Sequence, residues 1–252
     1  MSIFKLRKVS WNRPLVSALM ITKNRGPMAK RNICSLLDQT WPWKEIIVID
    51  DSEKKQQLHS DPRVKHVWLS EPTPIWTKHD MAVQYAQGNV FVYWDDDDWF
   101  SSKKIAKQMQ PVLDDKADMV GLKRRFIYRI TDHTWWEFTR LPPKDRSWLG
   151  NGLGAAGFKF HDGTCLFTRK ACAKLKHGER QVSQKLMMIY SMWKRGERLV
   201  ILPEQDLFVY VRHGTNTWQF DEDVRMISVE RPKFIPQSRM DFWISGAWNV
   251  GA

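Results

Sequence analysis

The chain is 252 residues long, the size of one large α/β domain, and its 42% hydrophobic and 27% charged residues exclude a mostly disordered polymer. No apolar run approaches the roughly 18 residues needed to span a bilayer, and the opening MSIFKLRKVSWNRP is too polar for a secretory signal. The net charge of +12 is uneven: residues 101–200 carry 21 basic against 9 acidic groups, while the flanking stretches nearly cancel. A surface of that kind attracts polyanions. Three cysteines without ligand spacing (Cys34, Cys165, Cys172) argue against a disulfide framework or a structural zinc site and point to reducing cytosol.

Residues 15–22, LVSALMIT, form a short apolar run rich in β-formers between Pro14 and the polar KNRGP, which predicts a buried strand. Apolar groups at Met28, Ile33, Leu36 and Leu37 recur at helical spacing, predicting a helix over 28–39 with Pro42 beyond its end. EIIVID (45–50) reads as a second buried strand, VKHVWL (64–69) as a third and weaker one. Residues 79–87 read as a helix closed by Gly88, and NVFVYW (89–94) as a fourth strand. Strands alternating with helices at this pitch imply βαβ units and a mainly parallel sheet covered on both faces.

Ligands of such sheets bind beyond the carboxyl ends of the strands. Two of these strands run into acidic clusters, Asp50-Asp51 and Asp95 to Asp98. Four consecutive carboxylates repel one another unless solvent or a cation relieves them. The second cluster follows a buried strand directly and is sealed by Trp99-Phe100, so it is no floppy tail. Oxygen ligands suit a hard cation such as Mg²⁺ or Mn²⁺, whose shell substrate phosphates often complete. The expected substrate is therefore a nucleotide diphosphate.

Several segments in one order resemble the GT-A glycosyltransferases of the family 2 type, from about residue 15 to 218. They are LVSALMITKNR, SLLDQTWPWKEIIVIDDSE (35–53), AVQYAQGNVFVYWDDDDW (82–99), GTCLFTRKACAKL (163–175) and RGERLVILPEQDLFVYVRHGTNTW (195–218). The resemblance implies an α/β, Rossmann-like GT-A fold: residues 1–220 as one catalytic domain (donor half about 1–100, acceptor half about 101–220) and 221–252 as a C-terminal extension. It implies transfer of a sugar from a nucleotide-diphosphate donor, UDP-linked by preference, with Mn²⁺ or Mg²⁺ as cofactor. Thr22 and Arg25 then lie on the first turn beside the nucleotide. Asp50 and Asp51 match the pair that meets base and ribose. Asp95 and Asp97 form the D-x-D, with Asp97 the direct metal ligand and His213 completing the metal and diphosphate site. Lys78 and His79, read as preceding the second helix, are candidates to meet phosphate.

A departing diphosphate needs its charge stabilised, and an acceptor hydroxyl needs a base. Counting back from Gly196, the resemblance places that base near Ser183, Gln184 or Lys185, where no carboxylate stands. Asp162, just before Gly163, is the substitute candidate.

The acceptor side holds Lys123, Arg124, Arg125 and Arg129, then Trp135, Trp136 and Arg140, followed by the Gly-rich GNGLGAAGF (150–158). Cations interleaved with aromatic rings suit a nucleic acid, with Arg124 and Arg125 on phosphates and Trp135 and Trp136 stacking on bases. A hydroxymethylated pyrimidine in DNA, as modified by phage-type enzymes, is the favoured acceptor. The same rings suit a cell-surface or lipid-linked glycan. A third reading is a catalytically inactive nucleic-acid-binding module, for which the missing acid argues and the D-x-D does not.

Overall fold

The computed structural model describes residues 14–123, 126–140, 160–173, 184–214, 216, 225–233, 235, 238 and 240–245. Arg124, Arg125 and the Gly-rich 150–158 segment lie outside these described residues. The apolar runs of the first hundred residues fold as strands β1 (Val16–Thr22), β2 (Lys44–Asp50), β3 (Val64–Trp68) and β4 (Val90–Tyr93). Helices α1 (Gly26–Leu37) and α2 (Ile75–Tyr85) connect them. The second helix starts four residues earlier than the apolar pattern suggests. Pro74 stands at its N-cap position, and the polar Thr77–Asp80 stretch between Trp76 and Met81 hides the start from a periodicity reading.

The remaining described elements are β5 (Trp99–Phe100), α3 (Lys104–Leu113), β6 (Met119–Lys123), β7 (Phe126–Arg129), β8 (Thr134–Arg140), β9 (Phe160–Thr168), α4 (Arg169–Ala173), α5 (Gln184–Lys194), β10 (Leu199–Leu202), β11 (Phe208–Arg212), β12 (Arg225–Val229) and α6 (Asp241–Ile244). A seven-stranded sheet has the order β10-β6-β9-β4-β1-β2-β3. Only β9 runs against its neighbours in it; β1 pairs in parallel with both β2 and β4. The expected mainly parallel α/β sheet is what the chain forms.

Alternation along the strands sends side chains to two separate cores. Val16, Ala18 and Met20 of β1, with Ile46, Val48, Val90 and Val92, pack against Ala29, Ile33 and Leu36 of α1 and Ile105 and Met109 of α3. Leu19, Ile47, Phe91 and Tyr93 face the other way, onto Ala82 and Val83 of α2 and Met188, Ile189 and Met192 of α5. Helices on both faces explain why these strands read as unbroken apolar runs.

The sequence pattern gives no sign of a second sheet, of order β12-β8-β7-β11-β5. Its two-residue strand β5 is too short to show periodicity, yet it pairs antiparallel with β11 through Phe100↔Phe208 and Trp99↔Val209. This pairing seals the end of the acidic turn and brings the segment after β11 beside it. Residues 225–229, beyond the boundary expected at 220, pair with β8 in the same sheet. Trp243 of α6 is fully buried in the core beneath it. No described helix is long and apolar enough to cross a membrane.

Candidate active site

Four elements converge at the carboxyl ends of β1, β2 and β4. Strand β4 is wholly buried, so the chain leaves it in a fixed direction and enters the turn Asp95–Asp98. From the opposite side, β11 delivers Arg212 and His213. Gly214 adopts φ +81°, which L side chains rarely take, and the chain turns so that Asn216 folds back. Its side chain accepts from the His213 N–H at 2.8 Å and donates to the Val211 carbonyl at 3.0 Å.

Asp97 receives the most donors at one oxygen. Its Oδ2 lies 2.9 Å from Arg25 Nη1, 3.0 Å from His213 Nε2 and 3.4 Å from Asn216 Nδ2. Burial pushes this carboxyl up, but the His213 and Arg25 contacts outweigh it and hold it below the ordinary range. Asp96 accepts from Thr22 Oγ1 at 2.6 Å and from Arg25 at 3.1 Å. Burial and the charge of Asp97 nevertheless lift it to about 6. Asp98 is fully buried, takes the Val211 N–H at 2.9 Å on one oxygen and has no hydrogen-bond partner on the other. Burial, then the charges of Asp97 and Asp95, raise it well above a normal carboxyl. Asp95 pairs with Lys185 of α5.

One turn of four like residues thus carries four different jobs. Asp97 stays ionised among cations, Asp96 ties the turn to β1, Asp98 anchors it to β11, and Asp95 meets the acceptor-side helix.

The donor-side pair is engaged within the protein. Asp50 is fully buried, with Ser52 N at 2.9 Å and His66 Nε2 at 3.1 Å. Burial raises its carboxyl, and the hydrogen bonds from His66 and Ser52 reverse that and hold it low. Asp51 accepts from Lys78 Nζ at 2.5 Å and Thr73 N at 3.0 Å. Lys78 and His79 therefore do not precede the second helix; they lie inside it. Lys78 is buried against Asp51, and His79 is buried edge-on to Tyr93, 5.0 Å between centroids. Burial, with Lys185 and Lys78 nearby, keeps His79 neutral.

On the acceptor side, Asp162 sits on β9 with its side chain one-third exposed, 3.9 Å from His161 Nδ1. Next to it, Gly163 is needed for a close approach: a Cβ there would stand 2.2 Å from Asp95 Oδ2. Trp135 turns inward and is 7% exposed, packed on Tyr128 at 5.0 Å between centroids. It is a core residue here and offers no ring for stacking, contrary to the sequence expectation. Trp136 is half-buried, with the Arg129 guanidinium 5.1 Å from its ring centroid.

The donors present fit a hard divalent cation. Asp97 and His213 bring a carboxylate oxygen and an imidazole nitrogen to 3.0 Å, and Asp95, Asp98 and His161 each place a ligand atom within 4.8 Å of the others. Asp96, Asn216 and His161 escape the sequence reading, and Lys185 enters it only as a position where an acid is missing. Asp96 is visible only as the middle letter of D-x-D, and the other three join the site through long-range pairing.

The model for glycosyl transferase family 2 matches residues 17–175, more than half of the chain. A protein of Bacillus subtilis named for teichuronic acid biosynthesis, the glycosyltransferase TuaG, is 28% identical over 109 residues, 40% of this chain and 43% of that protein. The Escherichia coli protein WcaA, named for colanic acid biosynthesis, is 32% identical over 102 residues, 38% of this chain and 37% of that one. The matched stretch thus spans less than half of either relative. A solved mannosyltransferase from Pyrobaculum calidifontis, in complex with GDP-Man and Mn²⁺, superposes with a TM-score of 0.55 at 17% identity, covering 79% of this chain and 57% of that one. That likeness is one of fold, and the fold is GT-A. With strand order, acidic turn and family match in agreement, this chain belongs to glycosyl transferase family 2.

Proposed function

We propose that the protein transfers a glycosyl group from a nucleotide-diphosphate sugar, UDP-linked by preference, to an acceptor hydroxyl. The observation that carries this reading is the convergence of Arg25 and His213, from the turns after β1 and β11, on one oxygen of Asp97 in the turn after β4. Asp97 and His213 would hold the divalent cation, together with Asp95, whose ligand atom clusters with those of Asp98 and His161. When bound, such an ion supplies Lewis-acid stabilisation of the departing diphosphate. Arg25 adds a fixed cation within the same cluster, preorganised by two carboxylates. Asp51 and Lys78 form the wall against which the base and ribose rest, and Thr22 fixes the first turn through Asp96. Asp162 is the proton acceptor for the incoming hydroxyl, since it is the partly exposed carboxylate on the acceptor strand next to Asp95. The catalytic unit includes β12 and α6, because both complete the second sheet and its core.

For the acceptor we favour a glycan. Two relatives are named for teichuronic acid and colanic acid biosynthesis, and the half-buried Trp136 is the tryptophan of β8 that keeps part of its ring accessible once Trp135 is packed inside. Hydroxymethylated DNA is the second reading, favoured by the 21 basic groups of residues 101–200. Incubation with Mn²⁺, a panel of UDP- and GDP-sugars, and either glycan or hydroxymethylated DNA tests both. Transfer should be lost in EDTA and in Asp97→Asn while the circular dichroism spectrum is kept. Full activity under either condition refutes the assignment of this turn.

A further inference from the structure

Resting on the proposed donor and cation site, we propose that Lys185 is an exchangeable counter-cation. It holds Asp95 while the site is empty of ligands and transfers to the donor's diphosphate when a divalent cation takes that carboxylate. Lys185 stands in the first turn of α5, with its ammonium paired to Asp95 Oδ1 and 5.3 Å from the Tyr93 ring centroid. Its side chain is 16% exposed, so the pair is largely withdrawn from water. Family resemblance places an acid in this short stretch. The chain instead offers Ser183, Gln184 and Lys185, and the side chain that reaches the acidic turn is a cation.

The two partners differ in freedom. Asp95 has the shorter side chain, and its other oxygen packs into the space left by the absent Gly163 Cβ, 2.2 Å from where that atom would stand. Lys185 carries its charge on a flexible four-carbon stem. A divalent cation held by Asp95 would repel the ammonium paired to the same carboxylate, and the lysine, on its longer and more flexible stem, is the group that would move. Asp97 and Asp162 both attract it, which keeps the displaced ammonium inside the site. A diphosphate brings its negative charge to the same place and accepts the ammonium's hydrogen bonds. No bond is made or broken in this exchange; one ion pair replaces another.

Two effects of opposite sign follow from removing the charge. In Lys185→Gln without nucleotide, Mn²⁺ should bind about tenfold tighter, because the competitor for Asp95 is gone. In the presence of Mn²⁺, UDP (or GDP, if the parent prefers it) should bind about tenfold more weakly, because a charged donor to phosphate is gone. Lys185→Arg keeps the charge and should stay close to the parent in both titrations. Calorimetry of the metal alone, then of the nucleotide in saturating Mn²⁺, reads both without any turnover. Melting temperatures of the three proteins establish that each is folded.

Weakening of both ligands in Lys185→Gln would mean that the lysine only supports the local structure, and would overturn the exchange. Unchanged Mn²⁺ affinity beside a parent that binds metal and nucleotide would also overturn it, leaving the proposed function intact. If neither protein binds Mn²⁺ or nucleotide, the proposed donor site falls and this inference falls with it.

Discussion

Arg25 Nη1 lies 2.9 Å from Asp97 Oδ2, 72 residues further along the chain. The same nitrogen reaches Asp96 at 3.1 Å, so one guanidinium locks the turn after β1 to the acidic turn after β4. Removing it leaves two buried carboxylates facing each other with one cation fewer. Arg25→Gln should lower stability by about 1–3 kcal/mol at pH 7.5, the usual range for a charge-assisted contact in a partly buried setting. The loss should shrink at pH 5. Asp96, already lifted to about 6 by burial and by Asp97, is then protonated in the folded protein and no longer repels its neighbour. Urea unfolding at the two pH values checks this, and an equal loss at both would place the Arg25 effect elsewhere.

The Asp51–Lys78 pair alters what a donor-site mutation means. With Lys78 3% exposed and 2.5 Å from Asp51, cutting the carboxylate away strands a buried ammonium. Asp51→Asn should therefore cost about 3–5 kcal/mol of stability as well as nucleotide affinity. The double variant Asp51→Asn with Lys78→Met should regain most of the stability and none of the affinity. If the double variant also recovers UDP binding, the pair is structural and the nucleotide lies elsewhere.

The legible part of this molecule is the part set by local pattern. Strands β1, β2 and β4 are continuous apolar runs because helices cover them on both sides, and Asp50–Asp51 and Asp95–Asp98 stand out because carboxylates follow those runs directly. The role of each carboxylate was not legible. Asp98 is distinguished from Asp97 by the Val211 N–H, 113 residues away, and β11 reaches that place by pairing with two-residue β5 on one side and with β7 on the other. Trp135 and Trp136 are adjacent identical letters, yet strand alternation sends one fully into the core of the second sheet and leaves the other half-buried at the edge of the first core. Composition alone has no means of choosing between them.

That alternation gives a contrast between neighbours. Trp135→Ala empties a site packed on Tyr128 in the core of the second sheet and should cost about 3–5 kcal/mol. Trp136→Ala removes a half-buried ring whose face is held by Arg129, and should cost about 1–2 kcal/mol. In an acceptor titration, Trp136→Ala should raise KM with kcat little changed, as expected when a stacking platform is lost. Unaltered acceptor KM in Trp136→Ala would remove β8 from the acceptor surface.

Lys104 presents the sharpest conflict between a residue and its surroundings. It is fully buried at the first position of α3, its Nζ has no hydrogen-bond partner, and the rings of Trp94 and Phe100 lie 4.7 and 5.0 Å from it. A cation at a helix start also opposes the helix dipole. Burial pulls the ammonium down to about 7, although Cys165, Asp95 and Asp98 pull the other way. The folded protein thus holds this proton less tightly than the unfolded chain, whose lysine titrates near 10.5. Between these values the unfolded state binds more protons, so stability from this group rises with pH. The penalty is complete below pH 7 and gone above pH 10.5. Lys104→Met keeps the volume and removes the charge. Its gain at pH 6.5, about 4–5 kcal/mol for a lysine moved from 10.5 to about 7, is offset by about 1–2 kcal/mol of lost cation–ring attraction. A net stabilisation of about 3 kcal/mol is expected at pH 6.5, shrinking toward zero at pH 9.5. Urea unfolding at both values measures it. A variant that is less stable at pH 6.5 would show that the carboxylates of the acidic turn hold Lys104 charged, and that the lysine is a structural counter-ion of the site.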